Sequence, residues 1–160
     1  MDLLTILRVV GVVSAGLLAG IFLGHRAGLH YAVPQLSASS FVQLGQIIHA
    51  HYVRFMPPLV FTALASSVLW LAMVRAQWRT AEFWLVAISA CAILAILAAT
   101  RAVNVPLNNQ LMTWSVASPP PNLQQLWAPW ERVNTLRSVL ATGALVLETV
   151  ALSLKAVAWR

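Results

Sequence analysis

The chain has 160 residues, 60% of them hydrophobic and only 9% charged, with a mean hydropathy of +0.79. A soluble domain carries about 25% charged residues, so a disordered chain is excluded and an ordinary soluble globule is disfavoured. The net charge of +6 comes from ten Lys and Arg against four Asp and Glu, scattered without a basic cluster. That pattern gives no support to a nucleic-acid partner and suits anionic lipid headgroups instead.

Crossing the roughly 30 Å hydrocarbon core takes about 20 apolar helical residues, with every backbone polar group paired internally. Four stretches qualify, over about 3–24, 57–75, 82–101 and 136–157. They predict an all-α, multi-pass integral membrane four-helix bundle, a single domain over 1–160, with two short amphipathic helices in the long connections on one membrane side. The single cysteine, Cys91, permits no internal disulfide.

The first stretch is broken only by Arg8. Met1-Asp2 supplies no basic residue before it and the run is long, so it reads as a retained helix rather than a cleaved signal. Arg8 is expected to snorkel to the headgroups, with Glu148 as the other partner considered. Gly16, Gly20, Gly24 and Gly28 recur every four residues. Such a stripe lets a second backbone approach, and Gly16-Gly20-Gly24 is the expected surface of any homo-oligomer.

In the connection 25–56, Phe41, Leu44, Ile48, His51, Tyr52 and Phe55 share one face of a helix. Ser37, Ser39 or Ser40 is its expected cap, and Pro57-Pro58 is expected to open the second span. His51 lies on the apolar face and His49 on its flank. His51 is either a packed interfacial histidine or a general base facing a site. Residues i and i+2 of a helix do not face each other, so His49 and His51 are weak candidates for a metal. His25 and His30, five apart, are expected to meet only through tertiary structure.

The short turn after the second span carries Arg75, Trp78 and Arg79, with Trp84 just beyond, and the chain ends on Lys155, Trp159 and Arg160. This places both termini on the cytoplasmic side, although Arg26, Arg54, Arg101, Arg132 and Arg137 on the opposite side weaken the bias.

After the third span, Pro106 disfavours helical geometry at Val105, which predicts a break near Asn104 and a short helix restarting at Pro106. Asn104, Asn108 and Asn109 would cap the freed backbone or bind a substrate oxygen. Pro119-Pro120-Pro121 is a stiff spacer. A helical face then runs from Leu123 through Trp127, Trp130, Asn134 and Arg137, past Ala141 and Ala144, to Glu148. Arg137 and Glu148 stand about 16 Å apart along such a helix. The alanines between them would leave room for a planar ligand. A charge at the bilayer centre costs at least about 2.5 kcal/mol, so Glu148 should face the bundle interior. It is either protonated and hydrogen-bonded between helices or functional. Four spans put both long connections, with all four histidines, on one side over a shared mouth.

In Asn104-Val-Pro-Leu-Asn108-Asn109-Gln-Leu, then Trp114, then Trp130-Glu-Arg132-Val-Asn134-Thr-Leu-Arg137, the chain resembles the anthrone oxygenase family of small four-helix membrane proteins. Many members of that family have no assigned function. Asn134 is displaced from the family's simplest spacing. Characterised members oxidise anthrones to anthraquinones with molecular oxygen. The resemblance therefore implies an apolar phenolic, anthrone- or quinol-like substrate and oxygen as co-substrate. No cofactor is expected, and a transition metal is left open. A base, donors for an oxyanion and an apolar slot would be needed. His51 would be the base, Asn104, Asn108, Asn134 and Arg137 the donors, with Glu148 below. Asn109, Trp114, Trp127, Trp130 and Arg132 would hold the substrate. Two other classes stand beside this one: a binding or proton-coupled transport protein using Glu148, and a non-catalytic accessory subunit.

Overall fold

The structure, a computed structural model, describes residues 2–157. Five helices carry the fold: α1 (Leu3–Gly24), α2 (Ala38–Met73), α3 (Ala81–Ala99), α4 (Val105–Leu111) and α5 (Leu123–Val157). Among the described residues there is no strand, and four helical runs are long and apolar enough to cross a membrane. The chain is an all-α, multi-pass membrane bundle. Leu17, Phe61, Leu69, Ile88, Leu94, Val139 and Val146 point outward from it. Lipid, which needs no polar partner, is the solvent that suits them.

Side-chain oxygens fix three helix starts. Asp2 accepts from the Thr5 N–H at 2.7 Å, Ser37 from Ser40 at 3.1 Å and Thr80 from Phe83 at 3.4 Å. Ser37 is thus the cap among the three serines considered. The hydrogen bond from Thr5 also holds the exposed Asp2 carboxyl below its ordinary pKa.

The spans pack as a ring, α1 against α2, α2 against α3, α3 against α5, and α5 back against α1. Each neighbour runs antiparallel to the next. The central core joins Leu18, Phe22, Val60, Ala63, Ile93, Ile96, Ala141 and Ala144. Smaller clusters lie at the two ends, around Trp70 and Val86 and around Val42, Leu111 and Trp127.

Three local expectations change. Pro57 and Pro58 lie inside α2 rather than at its start. Proline's fixed φ suits a helix, and its missing N–H groups orphan carbonyls one turn back, at Val53 and Arg54, whose side chains are exposed. The 36 residues of α2 span about 54 Å, so the segment before the prolines projects beyond a 30 Å core. The segment 123–135 likewise runs without a break into α5, a helix of 35 residues. The two amphipathic pieces are therefore extensions of spanning helices.

The third span does not break at Asn104 either. A wide turn over Thr100–Asn104, with the Val105 N–H donating to the Thr100 carbonyl five residues back, leads straight into α4. Asn104 and Val105 keep right-handed helical dihedrals, and Pro106 falls at the seam between the wide turn and the first turn of α4, where its missing N–H is absorbed without a break.

Within the chain, a Cβ on Gly16 of the small-residue stripe would meet Leu145 at 3.5 Å, whereas one on Gly20, Gly24 or Gly28 would meet nothing within 4 Å. Of the residues used to orient the termini, Arg160 and Trp159 lie outside the described residues, as does the side chain of Lys155.

Candidate functional site

The bundle end with the long connections gathers most of its polar groups into one network. It begins with a second wide turn, His25–Leu29, directly after α1. Five residues along a regular helix rotate a side chain about 140° away. Here the His30 N–H donates to the His25 carbonyl, so one extra residue is accommodated. His30 then takes the place that a residue four on would hold, and both imidazoles turn toward Glu131 of α5. His30 Nδ1 lies 2.9 Å from Glu131 Oε2, and His25 Nε2 lies 3.9 Å from Glu131 Oε1.

From His25 the network runs inward. His25 Nδ1 is 2.9 Å from Asn134 Nδ2, and Arg137 Nη2 donates to Asn134 Oδ1 at 2.7 Å. Arg137 Nη1 donates to Thr100 at 3.3 Å. The guanidinium lies over the rings of Phe22 and Trp130, at 4.7 and 5.4 Å. Asn134 and Arg137 are buried. Ser138 closes the layer, donating to the carbonyls of Phe22 or Asn134.

The asparagines of the third connection serve Trp130 rather than freed helix ends. Asn108 accepts from the Trp130 indole N–H at 2.8 Å, and Asn104 donates to the Trp130 carbonyl at 3.3 Å. Trp130 stacks on Trp127 at 4.9 Å and 17°, and Trp114 and Phe41 meet Trp127 edge-on. Gln46 donates to the carbonyls of Leu111 and Trp114, fastening the end of α4 to α2.

Outside this layer a cavity of about 570 Å³ opens. His30, Glu131, Trp127, Phe41, Leu36 and the three prolines 119–121 line it, together with Asn122, Gln124 and Gln125. Its volume suits a drug-sized molecule.

Two more polar centres lie deeper. Glu148 of α5 is fully buried where all four spans meet. Its Oε1 contacts the hydroxyls of Ser67 on α2 and Ser89 on α3, and Oε2 faces Gly11 of α1. At the far end of the bundle, Arg8 of α1 pairs with Glu82 of α3, which also accepts from the Trp70 indole at 3.0 Å. Arg8 is therefore neither snorkelling nor Glu148's partner, because a carboxylate on the facing helix is closer than either.

The inward face from Trp130 to Glu148 is as the sequence reading has it, but it holds no slot. Leu18, Phe22, Ile93 and Ile96 fill the space beside Ala141 and Ala144. Of the remaining residues singled out, Asn109 and Arg132 are exposed and Trp114 is half-buried. His51 is exposed, with Nδ1 at 2.8 Å from its own helix's Ile47 carbonyl, and the structure does not bring it to the network. His49 is half-buried. Among the described residues no three His, Cys, Asp or Glu side chains are grouped to hold a metal ion. Sequence reasoning missed His25, His30, Glu131 and Gln46. The available signal was Glu131, which stands between Trp130 and Arg132 as the only acid near the mouth.

The family model described as anthrone oxygenase matches residues 46–147. The chain belongs to the anthrone oxygenase family. No curated protein and no solved structure matches it. The anthrone oxygenase match takes in most of α2, all of α3 and α4, and α5 as far as Leu147. It thus covers Asn104, Asn108, Glu131, Asn134 and Arg137, with α1, its wide turn, His25 and His30 lying before it.

Proposed function

We propose that the protein is a membrane-embedded oxygenase that oxidises an apolar phenolic or anthrone-like substrate held in the mouth cavity, with His30 and Glu131 as its base. The observation that carries this reading is the paired imidazole and carboxylate at the wall of an aromatic-lined cavity, in a chain of this family.

An anthrone carries acidic C–H bonds opposite its carbonyl. His30, oriented by Glu131, removes one proton and leaves an electron-rich anion. Negative charge develops on the carbonyl oxygen, and the carboxamides of Asn122, Gln124 and Gln125 are the donors at hand. The carbanion carbon bonds to oxygen and the proton returns to the peroxide. Loss of the second C–H proton then cleaves the O–O bond, and the expelled hydroxide collects that proton from the base. One anthrone and one O2 give one anthraquinone and one water. Trp127 offers a flat wall to the rings, and Trp130 supports it from behind. General-base assistance contributes typically 10²- to 10⁴-fold.

Oxygen uptake by the purified protein with an anthrone substrate tests this. His30→Ala and Glu131→Gln should each lower the rate by about 10²-fold or more, and His51→Ala should leave it unchanged. Full activity in the first two variants would end the assignment. Proton-coupled transport is the reading that the buried Glu148 favours. Substrate efflux abolished by Glu148→Gln, with no oxygen uptake by the wild type, would replace the oxygenase with it.

A further inference from the structure

Counting protons along the mouth network settles which atoms carry them. A guanidinium has donors only, so the oxygen of Asn134, not its nitrogen, must face Arg137 Nη2, at 2.7 Å. The Asn134 NH2 group then points at His25 Nδ1, 2.9 Å away. An NH2 group there can only donate, so His25 Nδ1 must be a bare acceptor. The neutral ring therefore carries its proton on Nε2, the atom that faces Glu131 Oε1. Protonating Nδ1 would oppose two donors, and flipping the amide to relieve that would turn its NH2 onto Arg137. The other oxygen of Glu131 accepts from His30 Nδ1 at 2.9 Å. That leaves Nε2 as the lone pair of His30 when its ring is neutral, on a residue that lines the cavity.

We infer that Asn134 and Arg137 are positioning residues: they lock His25 in its neutral Nε2–H form, so that an N–H and not a lone pair is turned toward Glu131 Oε1, 3.9 Å away, while Glu131 Oε2 holds His30 through Nδ1 and leaves the Nε2 of His30 for the substrate. This deepens the function proposed above and rests on it for its catalytic meaning. It moves both residues out of the donor role that the sequence suggests. The charged and titratable groups that face His25 are Glu131, His30, Arg137 and Arg26, with the Trp130 ring at 5.1 Å. Glu131 is the only carboxylate among them. An acceptor in place of the Asn134 NH2 would therefore let His25 hold a second proton.

Nitrogen NMR of the 15N-histidine protein in micelles separates the two neutral tautomers and the imidazolium, with His25 assigned by its loss in His25→Gln. In the wild type, His25 should remain the Nε2–H tautomer across about pH 5 to 8, where a free histidine changes charge. In Asn134→Asp, whose carboxylate can only accept, His25 should gain a proton on Nδ1. The pH midpoint of kcat/KM should move with it, whereas a purely structural defect would lower kcat and leave the midpoint in place. A wild-type His25 protonated on Nδ1 overturns the inference. An Nε2–H tautomer that persists in Asn134→Asp overturns it too. If the tautomer behaves as stated but the wild type consumes no oxygen, the lock stands and the oxygenase reading is what fails.

Discussion

Glu148 and Gly11 form a matched pair. A Cβ at position 11 would lie 3.1 Å from Glu148 Oε2 and 3.6 Å from the Trp70 ring. The carboxyl has little freedom to retreat, because Ser67 and Ser89 hold its other oxygen. Gly11→Ala should therefore destabilise the bundle by about 1–3 kcal/mol, the range for overpacking. Gly20→Ala, with open space around it, should be close to neutral, and thermal unfolding in detergent compares the two. The inward direction of Glu148 was legible in the sequence because a charge in hydrocarbon has few places to go. Its partners were not, because serines on apolar helices usually bond their own carbonyls, as Ser66 does with Thr62. His30 was illegible for another reason. Its facing depends on one inserted residue in the preceding turn, which no hydropathy pattern records.

At the scale of elements, hydropathy located the four spans because the bilayer thickness sets their length. It could not show that two of them extend as single rods into the mouth, since the extensions are amphipathic and look like separate helices. Prolines misled in the same way. Pro106 and the pair Pro57-Pro58 mark missing N–H groups correctly, but a first helical turn or an exposed turn absorbs that loss without a break. The short α4 owes its place to side chains. Gln46 holds the carbonyls of Leu111 and Trp114, and Asn108 holds Trp130. Gln46→Ala removes two bonds, about 1–3 kcal/mol of local stability at typical net values. The segment 112–122 should then be cut faster by protease, while the melting temperature of the spans changes little. Equal cleavage rates in the two proteins would show that the Gln46 bonds are dispensable and that α4 is held by Asn108 and its apolar contacts.

At the scale of the molecule, four antiparallel spans put the start of α1 and the end of α5 at the same end of the bundle, opposite the mouth. With Arg75 and Arg79 in the turn on that same side, we expect both ends in the cytoplasm. Reporter domains fused at either end should then be active only where cytoplasmic folding is required, and a reporter inserted near residue 117 should show the reverse. The ring of helices also closes across its diagonals, Arg8 on α1 with Glu82 on α3, and Glu148 on α5 with Ser67 on α2. The first of these bears on biogenesis. Synthesis proceeds from the N-terminus, so α1 leaves the ribosome 74 positions before its counter-charge exists. Until α3 arrives, that guanidinium has the Trp70 ring of α2 beside it but no carboxylate, so the hairpin of α1 and α2 should be incompletely seated. A chain truncated after residue 80 should be extracted from membranes by alkaline carbonate more readily than one that runs through α3, and Arg8→Leu should abolish the difference.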